Sequence, residues 1–304
     1  MLKFRIAKYL MAIAVMVASV TSCVTNSSKP GKAKVVVGIM PVYEVAKAIA
    51  GDSIDVVCLM PKGGNPETYE PTISQYVEVE QSEAFMYVNG MGFEASIASR
   101  IKENNGELML VDLSKGIDLL YGTHGNCSHH HHHKDGACGH DDVDPHVWSS
   151  AKNMSKIAYN ILQTLKTIDS AHATYYEENY DSVATLINRV DAELDSLLAP
   201  CRGEAFVVWH PSLGYFARDY GLEQISVGGQ ESKESSVNQL CAKIETAMSH
   251  GARIMVLQKN YDDRQAQVVN EQIDACVVEI DPLDADWAKQ LKTVAYEIAS
   301  KRND

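Results

Sequence analysis

Residues 171–198 read AHATYYEENYDSVATLINRVDAELDSLL. Their apolar and aromatic side chains Tyr176, Tyr180, Val183, Ile187, Val190, Leu194 and Leu197 alternate at spacings of four and three. That alternation keeps one stripe on one helix face, and at about 1.5 Å per residue such a helix runs roughly 40 Å. A second helical segment, about 150–167, precedes it, and neither carries any strand signal.

Outward on both sides the pattern changes. Before these helices, strand-length apolar runs occur at 34–39 (KVVVGI), 54–59 (IDVVCL), 84–89 (AFMYVN) and 108–112 (LMLVD). After them come 205–210 (AFVVWH), 222–227 (LEQISV), 253–258 (RIMVLQ) and 276–281 (CVVEID). Each run is followed by helix or loop, the rhythm of βα units and a parallel sheet. The fold class expected is α/β: two βα lobes with parallel sheets, joined by a long rigid helix whose stripe packs against both. The chain divides accordingly into 34–149, linking helices at 150–199, and 200–304.

The first residues are of another kind. Lys3, Arg5 and Lys8 precede an apolar run from Tyr9 to Val20, which closes on small residues before Cys23. This is the layout of a signal peptide over 1–22. The run SVTSC resembles the lipobox of bacterial lipoproteins, which implies a lipid-modified Cys23, a tether over 23–33, and a protein body outside the cytoplasm anchored to the cell envelope. Loss of 1–22 removes three basic and no acidic residues, so the formal charge of −13 becomes −16. Nucleic acid is a poor partner for that surface.

Of seven cysteines, six follow Cys23 in a compartment where disulfides persist. Cys58 and Cys276 sit in apolar runs and are expected to be buried strand residues. Cys127 and Cys138 flank a histidine run and either pair or act as soft ligands. Residues 113–143 hold no element of their own, longer than the roughly 15 residues usual for a plain loop. Within them lie His124, His129, His130, His131, His132, His133 and His140.

Four other residues carry donor chemistry at telling places. Glu67 follows the second strand, His146 follows the long loop, and His210 and Asp281 end the first and last strands of the second lobe. In open parallel sheets ligands bind beyond the carboxyl ends of the strands, so these four can converge on one cleft between the lobes. Taken singly, a strand-end histidine is as readily a hydrogen-bonded core residue, and Asp281 before Pro282 is a good turn former.

The stretches PKGGNPETYEPT (61–72), VNGMGFE (88–94), DPHVWSSAKN (144–153), HPSLGYFARDYGLE (210–223) and EIDPLDADW (279–287) are similar, in order, to the solute-binding proteins of zinc and manganese ABC importers. The resemblance covers nearly the whole chain after the leader. It implies two α/β lobes joined by a long helix, a metal in the cleft between them, and delivery to a membrane permease. It places metal ligands at His146, His210 and Asp281, and identifies the histidine-rich loop, 124–140, as the acidic insertion of zinc-type members, a set of weaker auxiliary sites. At the first ligand position zinc proteins have Pro-His-x-Tyr-Glu-Pro, whereas here Glu67 replaces the histidine. A carboxylate still binds zinc, at about 2.0–2.2 Å.

The expected function is therefore capture of Zn2+ outside the cytoplasm by a monomeric, non-enzymatic receptor. The alternatives are a manganese receptor of the same family, with Mn2+ as cargo, and a zinc metallohydrolase, which needs an open coordination position and a nearby base. A third is an adhesin or metal store. The chain has no His-Glu-x-x-His or Gly-x-Ser-x-Gly motif.

Overall fold

The computed structural model describes residues 32–104, 106–121, 143–228, 237–259 and 264–302. The leader, Cys23 and the whole histidine run, with Cys127 and Cys138, lie outside the described residues.

The first sheet comprises β1 (Lys34–Val37), β2 (Asp55–Cys58), β3 (Ala84–Tyr87) and β4 (Met109–Asp112), in the order β2-β1-β3-β4. Helices α1 (Met40–Ala50), α2 (Ile73–Glu80) and α3 (Gly92–Asn104) connect them. All pairings are parallel. After the linking helices α4 (Ala151–Ile168) and α5 (Ala173–Leu198), the second sheet repeats the plan. Its strands are β5 (Ala205–Val208), β6 (Glu223–Ser226), β7 (Ile254–Gln258) and β8 (Cys276–Ile280), in the order β6-β5-β7-β8 and again parallel. Its helices are α6 (Gly214–Tyr220), α7 (Val237–Ser249), α8 (Arg264–Ile273) and α9 (Trp287–Lys301). All eight expected strands are present, each within two residues of its expected limits.

Local chemistry explains the element ends. Pro41 sits in the first turn of α1, where its missing N–H costs nothing, and Gly51 follows the helix at φ 56°. Thr72 and Gln75 form a reciprocal capping box on α2. Ser150 accepts from Asn153 N–H at the start of α4. The strut begins two residues later than its stripe suggests, because Asp169 makes a corner. Its carboxylate accepts from His172 Nδ1 at 2.7 Å and from the Tyr176 hydroxyl at 2.8 Å, and residues Ser170–His172 form a 3-10 turn.

On α5, Tyr176, Ile187, Val190, Leu194 and Leu198 are buried, and the helix packs on α1 and α4 at one end and on α9 at the other. At its last turn Leu198, not Leu197, is the fully buried residue, since a period of 3.6 drifts against a strict 4,3 alternation. One continuous apolar core runs from Val35, Phe85 and Ile49 through Trp148, Ile187 and Leu194 to Phe206, Val256 and Trp287. Burying one such side chain fully stabilises by roughly 1.5–3 kcal/mol. A separate cluster, including Val207, Met255 and Val269, fills the other face of the second sheet. Cys58 and Cys276 lie on β2 and β8 as free thiols but are half-buried rather than fully buried. Both β2 and β8 are edge strands. Among the described residues no helix is long and apolar enough to cross a membrane.

Candidate metal centre

Both chains of strand order reverse direction at the middle of the sheet, between β1 and β3 and between β5 and β7. The loops that leave these points diverge and open a crevice. Glu67 stands on the loop between β2 and α2. Its N–H donates to Asn65 Oδ1 at 2.9 Å, and the adjoining Tyr69 hydroxyl is tied to Leu59 O at 2.8 Å. Tyr69 in turn meets Phe93 edge-on at 5.1 Å. Glu70, the neighbouring carboxylate, is exposed.

His146 opens a short 3-10 turn, Val147–Ser149. Its Nδ1 lies 2.7 Å from Asp144 Oδ1, and its backbone N–H donates to the same oxygen at 2.9 Å. The Ser149 hydroxyl donates to its carbonyl at 2.8 Å. His210 follows β5, where Trp209 N–H still pairs with Val256 O and Ser212 N–H closes a turn on His210 O.

These three side chains meet across the two lobes. His210 Nε2 is 3.2 Å from His146 Nε2 and 3.0 Å from Glu67 Oε1. The imidazole side chains are 11% and 13% exposed for His146 and His210, and the Glu67 side chain is 13% exposed. Burial holds the His210 imidazole below its ordinary range; Glu67 pulls it up, and His146 pushes it further down. A tetrahedron with bonds of about 2.0–2.1 Å has donor–donor edges of about 3.3 Å, close to the separations found here.

Asp281 is engaged differently. It follows β8 directly, its N–H donates to Gln290 Oε1 at 3.0 Å, and its Oδ1 accepts from Leu283 N–H at 3.0 Å. The Trp148 indole N–H reaches the next carbonyl, Pro282 O, at 2.9 Å. Among the described residues no group of three or more His, Cys, Asp or Glu is placed so as to hold a metal ion; the rings of His146 and His210 meet edge-on at 73°, and Asp281 Oδ1 is bonded within its own loop. The seven histidines of the long loop lie outside the described residues. At its roots Tyr121 bridges Val143, and Asp144 N–H pairs with Leu120 O.

Two buried acids, Asp144 and Glu94, lie within the motifs DPHVWSSAKN and VNGMGFE but are not among the site residues singled out from the sequence. Asp144 stands two positions before His146. Glu94, the last residue of VNGMGFE, is 1% exposed and accepts from Val88 N–H at 2.8 Å. Burial pushes its carboxyl up to about 8; Asp112 adds to this, while the N–H groups of Val88 and Gly38 oppose it. Only glycine fits at Gly38, where a Cβ would lie 1.7 Å from Glu94 Oε1.

Residues 35–299 match the family described as ZnuA, zinc-uptake complex component A, periplasmic. The chain belongs to that family. It is 26% identical over 271 residues to the zinc-binding protein AdcA of Streptococcus pyogenes serotype M3, a match covering 86% of this chain and 52% of that protein. The chain thus spans about half the length of that relative. It is 27% identical over 250 residues to the high-affinity zinc uptake system protein ZnuA of Bacillus subtilis, covering 82% of this chain and 77% of the relative. A zinc-bound crystal structure of a ZnuA deletion mutant superposes with a TM-score of 0.76 at 30% identity, over 88% of this chain and 97% of the other. The family's two-lobe α/β fold is the one described above.

Proposed function

We propose that this protein captures zinc outside the cytoplasm and hands it to the permease of an ABC importer. The observation that carries the reading is the meeting of His146, His210 and Glu67 across the lobes, two nitrogens and one oxygen with 3.0–3.2 Å between neighbours, in a member of a zinc-uptake family. A donor set of imidazoles and carboxylate suits zinc, and the affinity order of divalent ions favours it over manganese. In this reading the cargo is held by Glu67, His146 and His210, and Asp281 completes the shell by turning its carboxylate away from Leu283.

The same reading assigns 1–22 to an export signal, Cys23 to a lipid anchor with 23–33 as tether, 34–149 and 200–304 to the lobes, and 150–199 to the link. His124, His129, His130, His131, His132, His133 and His140 serve as weaker zinc-collecting sites, and the receptor works as a monomer. The family description is that of an uptake component and not of a catalyst, which argues against a metallohydrolase. Glu67 in place of histidine is the observation that favours a manganese receptor, because it hardens the donor set.

Competitive titration of the purified protein with a chelator, with zinc and manganese compared at equal free concentrations, tests the reading. Zinc preference is expected, and manganese preference would overturn it. Deleting 124–140 should lower zinc stoichiometry while sparing the tightest site.

A further inference from the structure

Asp144 belongs to none of the ligand positions, yet it is 1% exposed at the heart of the centre. Its Oδ1 faces two groups of one residue, His146 Nδ1 at 2.7 Å and His146 N–H at 2.9 Å. A carboxylate accepts and does not donate, so Nδ1 carries a proton and Nε2 is the ring nitrogen turned to the centre. That is the nitrogen 3.2 Å from His210 Nε2.

The backbone of Asp144 is fixed as firmly as its side chain. Its carbonyl accepts from the Tyr215 hydroxyl at 2.8 Å, and that hydroxyl accepts from Leu120 N–H at 3.1 Å. Tyr215 is on α6, so a second-lobe residue holds the turn that carries a first-lobe histidine. The other carboxylate oxygen, Oδ2, is buried without a hydrogen-bond partner among the described residues. It points at Gly214, where a Cβ would come within 3.0 Å. A buried carboxylate with one oxygen unpaired is costly, and positive charge reaching His146 through Nε2 would offset that cost.

We propose that Asp144 is a positioning residue that locks His146 in the Nδ1–H tautomer and aims its Nε2 at the metal. The inference rests on the reading of His146 as a zinc ligand. Outer partners of this type are commonly worth about 10–100-fold in metal affinity.

The test uses long-range 15N–1H spectra of the imidazoles in the metal-free protein, followed by zinc titration against a chelator. The parent should show His146 with its proton on Nδ1. Asp144→Ala should move that proton to Nε2 and weaken zinc about 10–100-fold. Asp144→Asn, whose amide oxygen can still accept from Nδ1–H, should keep the tautomer and lose several-fold in affinity. Tyr215→Phe should leave the tautomer unchanged.

A parent ring protonated on Nε2, or an Asp144→Ala ring that stays protonated on Nδ1, overturns the proposal. So does parental zinc affinity in either Asp144 variant. If Asp144→Ala does not fold, Asp144→Asn decides by the same affinity criterion. Failure of the underlying reading has a different signature: His146→Ala would bind zinc as tightly as the parent, whatever the tautomer spectra show.

Discussion

At the carboxyl ends of β1 and β3 a buried carboxylate, Glu94, accepts backbone N–H groups from Gly38 and Val88. At the corresponding ends of β5 and β7 a neutral pair does the joining, with the Gln258 amide donating to the Ser212 hydroxyl. Both sheets have the same strand order, and both must satisfy polar groups exposed where the strands splay. One lobe does so with an ionisable group and the other without. The strand-end junction of the first lobe is thus the one that carries an ionisable group, while each lobe brings an imidazole to the shared centre.

The largest effect is expected where the lobes meet. His146→Ala and His210→Ala should each weaken zinc by about a thousandfold, since each removes a whole ligand from a small donor set. Chelator competition would check this, and a loss confined to one of the two would make the centre the property of a single lobe.

Glu94→Ala should next destabilise the fold by about 3 kcal/mol, because two buried amides lose their acceptor. Gln258→Ala should cost about 1 kcal/mol, as one neutral bond is lost. Equal losses in urea unfolding would erase the contrast between the sheets.

The pH dependence sharpens the same contrast. With its pKa raised to about 8 in the folded chain from an ordinary 4.5, Glu94 binds its proton more tightly when folded than when unfolded. Its contribution is full below about 4.5, is lost as pH rises through about 8, and is constant beyond. The slope is at most about 1.4 kcal/mol per pH unit. Unfolding measured across this range should show the slope in the parent and not in Glu94→Gln.

The smallest effect is expected at the loop tip. Glu67→Ala should weaken zinc by up to about tenfold, with water filling the position, and Glu67→His should keep or sharpen zinc binding. Zinc affinity unchanged in Glu67→Ala would remove the carboxylate from the donor set.

The strands, the strut, and the positions of His210 and Asp281 just after β5 and β8 and of Glu67 and His146 on loops were legible in the sequence, because strand-length apolar runs and a helical stripe are local patterns. What was not legible depends on partners distant in the chain. Nothing local tells that the VNGMGFE glutamate closes onto Gly38, or that Tyr215 reaches Leu120 and Asp144, 95 and 71 residues away. The corner at Asp169, which delays the strut, is likewise a side-chain event that a hydrophobic period cannot register. Asp281 shows the converse limit: its position was readable, but its orientation is set by Leu283 and Gln290.

The unbroken core from Val35 to Trp287 bears on how a transporter distinguishes a loaded carrier from an empty one. A receptor that clamps shut like a jaw needs a seam crossed by few contacts, and the strut here is bonded by apolar packing at both ends. The message therefore has to be written in small print. If the chain is the receptor proposed above, a turn of the Asp281 carboxylate or a shift of the 59–72 loop, on a frame that stays the same, would be what distinguishes its loaded surface from its empty one.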